Sequence, residues 1–196
     1  FLKYLGIAPD KTVVPFPCHG SNVQVVFQHN PVYGGIVADS LLTATPGLAL
    51  TMTNGDCPTL YIWDPLKDVI GLVHCGWKPL SKMIVSKTLE KMEKEWNSDM
   101  QFVKAFIGPG ICRRCYEVGP DMLLKFGIVS KAVRNFSLSN EIINQLLDGG
   151  MRRENIEVSE DCTRHTEGKY YSWRGQQTNP LCCQMGVMMI NKQIAA

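Results

Sequence analysis

Residues 54–77 decide the fold: Asn54-Gly55-Asp56-Cys57-Pro58 leads into an apolar run, a turn, a second apolar run and His74-Cys75-Gly76-Trp77. The two runs, residues 59–63 and 69–73, are rich in branched and aromatic side chains, which predicts β-strands. The intervening Asp64-Pro65-Leu66-Lys67-Asp68 is typical of a tight turn. We therefore predict an antiparallel β-hairpin whose open end carries Cys57 and His74.

The register of this hairpin determines whether Cys57 and His74 can meet. If the loop is the four residues 64–67, Cys57 lies directly opposite His74, and opposed Cβ atoms are about 4.5–5.5 Å apart. A five-residue loop instead pairs Pro58 with His74 and turns Cys57 to the other face of the hairpin. The sequence leaves both registers open.

Further elements flank the hairpin on both sides. Strands are predicted at residues 22–27, 35–43, 48–53, 103–107 and 155–158, and a strand or a helix at residues 186–190. Helices are predicted at residues 120–126 and 140–147, and a longer one from Pro79 with an apolar stripe of Val85, Leu89, Met92 and Trp96. Because strands occur in runs as well as alternating with helices, the predicted fold class is α+β.

The composition is that of one globular domain covering residues 1–196. Hydrophobic residues are 45% and charged residues 19%, and the net charge of +2 is too weak to predict binding to nucleic acid or to a membrane surface. No apolar run approaches the ~20 residues of a membrane helix. Residues 1–6 resemble the end of a helix stopped by Gly6, so we expect sequence upstream of it. The eight cysteines are predicted to be reduced thiols, which indicates a cytoplasmic protein.

Cys57 and His74 are candidate metal ligands, because a thiolate with an imidazole suits Zn²⁺ and also copper. A catalytic zinc needs a third protein ligand and an open position for water. His19 is the candidate for this role, since the histidines at positions 29 and 165 lie in predicted polar loops. Asp56 would orient an imidazole or act as a base. The alternative is a buried thiol beside a structural histidine.

Several short motifs occur together in an order and with a spacing typical of one family. They are Pro17-Cys18-His19-Gly20, Gly55-Asp56-Cys57-Pro58, His74-Cys75-Gly76-Trp77, Ile107-Gly108-Pro109-Gly110-Ile111, Cys115-Tyr116-Glu117-Val118-Gly119, Asp161-Cys162-Thr163 and Tyr170-Tyr171-Ser172-Trp173-Arg174. Together they resemble the multicopper polyphenol oxidoreductases, or laccase-domain proteins. This family is also known as the peptidoglycan-editing factor family, and its members are described as purine nucleoside phosphorylases.

The resemblance implies a layered α/β/β/α sandwich with mixed β-sheets and a pocket in which His19, Cys57 and His74 bind zinc. The implied activity is phosphorolysis of adenosine, inosine, guanosine and methylthioadenosine, with adenosine deamination. The implied partners are small molecules, a purine nucleoside and phosphate. Asp56 would shuttle a proton, and the substrate would be held by Arg174, Lys78, Tyr116 and Trp77.

The sequence departs from the family pattern at three places. Lys78 stands where the family usually has an arginine, which keeps the charge but loses bidentate binding of phosphate. Gly175 stands where a second arginine often follows Arg174, and Cys183 lies where a later Gly-Arg is usual. The family's N-terminal segment, which carries an arginine near the pocket, is absent from these 196 residues.

A Cys-x-x-Cys motif, Cys112-Arg113-Arg114-Cys115, suggests on its own a zinc knuckle or a redox pair. A four-cysteine site would need a second pair, which Cys182-Cys183 would supply. Since the family often has cysteine at the position of Cys115, we favour packed thiols here.

Three hypotheses stand beside a zinc-dependent nucleoside phosphorylase. Copper-dependent, laccase-like polyphenol oxidation is the runner-up, although four histidines are too few for a trinuclear cluster with a blue-copper site. A cysteine hydrolase or amidase would use Cys57 as nucleophile and His74 as base. A non-catalytic zinc-binding module would bind metal without turnover.

Overall fold

The computed structural model describes residues 2–27, 33–166, 168–176 and 183–191. The strands of this part are β1 Thr12–Phe16, β2 Val23–Val25, β3 Tyr33–Val37, β4 Ser40–Thr43, β5 Ala49–Asn54, β6 Thr59–Asp64, β7 Val69–His74, β8 Lys104–Ile107, β9 Glu117–Val118, β10 Arg134–Asn135, β11 Ile156–Val158 and β12 Gln184–Met189. The α-helices are α1 Trp77–Leu80, α2 Ile84–Trp96, α3 Pro120–Leu124, α4 Leu138–Asp148 and α5 Trp173–Gln176, with short 3₁₀ turns at Leu2–Leu5, Pro9–Lys11, Arg113–Cys115 and Arg153–Asn155.

Two mixed sheets form the centre of the molecule. The larger has the strand order β11-β8-β6-β7-β4-β2, and the smaller has the order β12-β5-β1-β3. Both contain parallel and antiparallel pairs, which confirms the predicted mixed sheets of an α+β fold. A separate two-stranded ribbon pairs β10 with β9.

Two apolar cores define the order of the layers. In one, Leu60 and Val73 of the larger sheet pack with Leu89 of α2 and Leu146 of α4. In the other, Leu72 of the larger sheet packs with strand residues of the smaller sheet such as Leu50. The larger sheet is therefore covered by helices on one face and by the smaller sheet on the other, which gives three layers of the expected α/β/β/α arrangement.

The hairpin of β6 and β7 forms as predicted, but in neither of the two registers considered. Thr59 pairs with His74 and Asp64 with Val69, so the turn begins at Pro65. The Asp64 carboxylate explains this shift, because its Oδ1 accepts hydrogen bonds from the backbone N–H groups of Leu66 and Lys67 and caps the turn. The register with Cys57 opposite His74 is thus wrong by two residues. An even shift keeps both residues on one face, since side chains alternate along a strand.

The predicted strand at residues 35–43 is two strands that belong to different sheets. β3 ends at Val37 in the smaller sheet, and β4 begins at Ser40 in the larger one. The chain crosses between the sheets at Ala38 and Asp39, which are both fully buried. This crossing buries a carboxylate between the two layers.

Strand β1 has no counterpart among the predicted elements, because Pro15 interrupts its apolar run. The strand passes this residue by an irregularity: its pairing with β3 shifts register between Val14 and Phe16. Proline is tolerated at such a position because no ladder hydrogen bond is required of it.

The helix predicted from Pro79 begins elsewhere. Pro79 lies in the short helix α1, and the left-handed backbone of Met83, with φ of 60°, separates it from α2. The apolar stripe of α2 is confirmed, since Val85, Leu89 and Met92 are buried. The ambiguous segment near the C-terminus is the strand β12.

No helix in the described ranges is both long and apolar enough to cross a membrane.

Replacing Gly71 by alanine is expected to lower the free energy of unfolding by about 1–2 kcal/mol. Gly71 lies in the central strand β7, and an added Cβ would be 2.6 Å from Leu42 Cδ2 in a closely packed core. Such overpacking costs about 1–3 kcal/mol, and the reduced entropy of the unfolded chain offsets only about 0.4–1 kcal/mol of it. Urea unfolding measures the change. Gly119→Ala is the matched control, because nothing lies within 4 Å of its added Cβ. Equal stability of the two variants would contradict the close packing.

Candidate metal centre

The open end of the hairpin brings Cys57 and His74 to one point. His74 ends β7, and Cys57 precedes β6 by two residues on the same face. A Cβ added to Gly76 would lie 3.1 Å from Cys57 Sγ and 3.4 Å from His74 Nε2, so both atoms border the space that this glycine leaves open. Gly76 thus keeps side-chain atoms away from a candidate ligand pair.

The His74 imidazole is oriented by Asp39, a residue that the sequence analysis did not select. His74 Nδ1 lies 3.1 Å from Asp39 Oδ1, which leaves Nε2 directed to the side of Cys57. A carboxylate on one ring nitrogen fixes the tautomer and strengthens the other nitrogen as a ligand. The assignment of an orienting role to Asp56 is therefore replaced by Asp39. The sequence feature that could have identified Asp39 is a carboxylate within the largely apolar residues 36–42.

Asp39 also holds the loop that carries His19. Its carboxylate accepts hydrogen bonds from the backbone N–H groups of His19 at 3.0 Å and Gly20 at 2.7 Å, and from Cys18 Sγ at 3.0 Å. His19 has a left-handed backbone with φ of 54°, and its ring packs edge-on against His74 with centroids 5.1 Å apart. One buried carboxylate thus positions two of the three predicted ligands.

The electrostatics of this centre follow from the same contacts. Burial lowers the pKa of His74, but the hydrogen bonds with Asp39 and Cys57 outweigh it and raise the pKa to about 9. For Asp39, burial opposes ionisation, yet hydrogen bonds from His74, Cys18 and Gly20 hold its pKa well below the usual range. Desolvation of the ring and the charge of His74 lower the pKa of His19.

His19, Cys57 and His74 are adjacent, but their ligand atoms are not drawn together as closely as those of a second cluster. Among the described residues, one set of four places all its ligand atoms within 4.8 Å of one another, and that set is Cys112, Cys115, Cys162 and His165. Binding of a single ion by His19, Cys57 and His74 therefore stays a prediction.

Asp56 joins the centre to the chain beyond residue 160. Its backbone is left-handed, with φ of 69°, and its carboxylate is buried. Oδ1 accepts a hydrogen bond from Thr163 Oγ1 at 2.7 Å, and Oδ2 accepts one from the Arg174 backbone N–H at 2.6 Å. Asp56 therefore fixes the start of α5 beside Cys57, and its role as a base stays a prediction.

The four predicted substrate residues form two stacked pairs. The Arg174 guanidinium lies 5.1 Å from the ring centroid of Tyr116, and Lys78 Nζ lies 5.6 Å from the ring centroid of Trp77. Arg174 and Lys78 are exposed, whereas Tyr116 is 8% exposed and burial raises its pKa to about 12. The exposed cations thus remain accessible to an anion, and Tyr116 is largely a core residue.

Two departures from the family pattern, Gly175 and Cys183, differ in their surroundings. At Gly175, an added Cβ would be 3.2 Å from Ser172 Oγ, so this position leaves little room for a side chain. Cys183 is exposed and precedes β12. His29 and Cys182 lie outside the described residues.

The Cys-x-x-Cys motif is completed by residues that the sequence analysis did not connect with it. Among the described residues, Cys162 and His165 lie beside Cys112 and Cys115. The spacing of Cys162 and His165, another pair three residues apart, was the signal that could have identified them.

Fold and centre together describe a two-sheet α+β sandwich with a thiol and imidazoles at the end of one hairpin. The family model described as multi-copper polyphenol oxidoreductase laccase matches residues 1–191, and the chain belongs to this family. The fold agrees with a crystal structure of YlmD from Geobacillus stearothermophilus, with a TM-score of 0.92 and 21% identity over 97% of this chain and 77% of that one.

Two curated relatives carry names that state an activity. A protein of Deinococcus radiodurans named purine nucleoside phosphorylase is 35% identical over 178 residues, which are 87% of this chain and 67% of the relative. A protein named adenosine deaminase RL5, from an unknown prokaryotic organism, is 24% identical over 191 residues, covering 87% of this chain and 72% of the relative.

Proposed function

We propose that this chain is a zinc-dependent purine nucleoside phosphorylase that acts on adenosine, inosine, guanosine and methylthioadenosine and also deaminates adenosine. The names of the relatives, purine nucleoside phosphorylase and adenosine deaminase, support the reaction types. The family membership supports a metal centre. The substrates are small molecules, a purine nucleoside and phosphate.

One observation carries the proposal: His74 is buried, fixed by Asp39 on Nδ1, and presents Nε2 beside Cys57 Sγ and the ring of His19. One thiolate with two imidazoles fits zinc, and copper is the alternative ion. When bound, the ion would act as a Lewis acid on phosphate or lower the pKa of a water molecule.

The chain's own residues supply positioning and charge around this point. With an ion bound at His74 Nε2, the remaining ring proton would stay on Nδ1, where the Asp39 carboxylate 3.1 Å away would accept its hydrogen bond. Asp56 is buried and directly precedes Cys57 in sequence, and we propose it as a proton carrier. Arg174 and Lys78 are the exposed cations that would hold phosphate. Trp77 is half-buried beside Lys78 and offers a face for a purine base.

The proposal predicts release of free hypoxanthine from inosine, and of adenine from adenosine, only when phosphate is present. Zinc-loaded protein is assayed by chromatography of bases, with ribose 1-phosphate as the second product and inosine from adenosine as the mark of deamination. Protein treated with chelator and reloaded with zinc is the control. A zinc-loaded protein that turns over none of the four nucleosides would contradict the proposal.

A second candidate, a cysteine hydrolase, is favoured by one specific contact pattern. Cys57, His74 and Asp39 are arranged as nucleophile, base and orienting carboxylate, since Asp39 Oδ1 lies 3.1 Å from His74 Nδ1, and Nε2 and Cys57 Sγ both border Gly76. For a cysteine hydrolase, we expect hydrolytic activity to survive chelation of metal and to be lost when iodoacetamide alkylates Cys57. For the phosphorylase, chelation abolishes activity, and bound zinc protects Cys57 from alkylation.

A further inference from the structure

A second cluster of metal-binding side chains lies apart from His19, Cys57 and His74. Cys112 immediately precedes the 3₁₀ turn Arg113–Cys115, and Cys115 is its last residue. Cys162 and His165 belong to a turn closed by the hydrogen bond from the Thr166 N–H to the Cys162 carbonyl. The four ligand atoms lie within 4.8 Å of one another. Two loops therefore converge at one point, although Cys112 and Cys162 are 50 residues apart in sequence.

The spacing within the cluster suits a tetrahedral ion. With Zn–S bonds of about 2.3 Å and Zn–N bonds of about 2.0 Å, neighbouring ligand atoms are about 3.5–3.8 Å apart. His165 Nδ1 lies 3.3 Å from Cys115 Sγ and 3.8 Å from Cys112 Sγ. These two separations match what a central ion requires, and all four ligand atoms lie within 4.8 Å of one another.

The environment of Cys162 favours a thiolate. Cys162 is fully buried, and the Cys112 backbone N–H donates to its sulfur at 3.3 Å. Backbone N–H groups directed at a sulfur stabilise negative charge there.

We propose that Cys112, Cys115, Cys162 and His165 form a second metal site, a closed zinc site of the Cys₃His type with a structural role. Four protein ligands leave no open position for substrate, which distinguishes a structural from a catalytic zinc. One contact would change on binding. Arg114 Nη2 lies 3.1 Å from His165 Nε2. Zinc on Nδ1 would leave the ring proton on Nε2, so Nε2 could no longer accept a hydrogen bond and the exposed arginine would turn to solvent.

The position of the site explains what it would stabilise. Cys115 directly precedes Tyr116, which stacks with Arg174, and Cys162 directly precedes Thr163, which donates to Asp56. The Arg164 guanidinium further joins the two loops by donating to the Cys115 carbonyl at 3.1 Å. Zinc at this site would therefore fix two loops that border the centre proposed above, while the site itself rests on its own residues and not on the proposed function.

The test is the zinc content of Cys57→Ser, a variant that removes a ligand of the first centre and leaves the second intact. We expect one zinc per chain in protein purified under reducing conditions, and none in Cys57→Ser/His165→Ala or Cys57→Ser/Cys112→Ser. Cobalt substitution of Cys57→Ser should give the intense charge-transfer absorption of three thiolates. Cys57→Ser/Cys183→Ser is the matched control, because Cys183 is exposed and outside the cluster, and it should keep its zinc.

The outcomes separate this proposal from the proposed function. Chelation of zinc from Cys57→Ser should lower its melting temperature by several degrees, since removal of a ligand specific to the folded state destabilises it. No zinc in Cys57→Ser, or a weak cobalt spectrum typical of one thiolate, would overturn the second site. Absence of nucleoside turnover by the wild-type protein would overturn the function alone, because the zinc count does not depend on activity.

Discussion

His19→Asn is expected to remove the catalytic metal and to lower nucleoside turnover by more than about 100-fold. Loss of an outer partner of a metal ligand typically costs about 10–100-fold, and loss of the ligand itself should exceed this. Asparagine is the replacement of choice because it tolerates the left-handed backbone at φ of 54°. The backbone N–H that donates to Asp39 also remains. Zinc content, kcat/KM for inosine and the melting temperature are the measurements.

The matched control for this variant is Lys82→Gln. Lys82 is exposed and its Nζ contacts the His19 carbonyl at 3.2 Å, so the variant perturbs the same loop without removing a ligand. We expect zinc and turnover to be retained there. A His19→Asn protein that keeps the full zinc content and the activity of the wild type would remove His19 from the ligand set.

Asp39→Asn is expected to weaken zinc binding by about 10–100-fold and to lower the free energy of unfolding by about 1–3 kcal/mol. The carboxylate is fully buried and receives hydrogen bonds from four donors: Cys18 Sγ, the His19 and Gly20 N–H groups, and His74 Nδ1. An amide offers one acceptor oxygen in place of two, so its NH₂ group faces donors and leaves them without partners. Zinc titration and urea unfolding measure the two effects.

Asp64→Asn is the matched control for Asp39→Asn. Asp64 is also buried, at 1% exposure, and its Oδ1 accepts backbone hydrogen bonds in the turn at the opposite end of the hairpin. We expect this variant to lose some stability and to keep its zinc affinity. If both variants bound zinc as tightly as the wild type, Asp39 would be only a structural carboxylate and the assignment of its role toward His74 would fail.

The hairpin and the α2 stripe could be predicted because each depends on local patterns. Branched residues around a turn specify β6 and β7, and apolar spacing specifies the buried face of α2. The register of the hairpin was not predicted because a side-chain contact determines it. Asp64 caps the turn, and the pairing differs by two residues from the register that places Cys57 opposite His74. Strand β1 was not predicted because Pro15 interrupts its apolar residues. The register shift that accommodates this proline appears only in the pairing of β1 with β3.

The candidate site was predictable only in part, for a different reason. His19, Cys57 and His74 were selected by residue chemistry, and the structure places them side by side. Asp39 was not selected, because its importance arises from a crossing between two sheets that a local pattern does not contain. The pairing of Cys112 and Cys115 with Cys162 and His165 likewise depends on loops that meet only in the folded chain.

The crossing at Ala38 and Asp39 connects the packing of the two sheets with the geometry of the candidate metal centre. Asp39 lies between the last strand residue of one sheet and the first of the other, and its carboxylate orients the His74 imidazole and holds the His19 loop. If His74 binds an ion as proposed, a displacement of Asp39 at this crossing would change the position of that ligand, and binding of the ion would in turn favour the present position of Asp39. We therefore expect metal binding and the packing of the two sheets to stabilise each other.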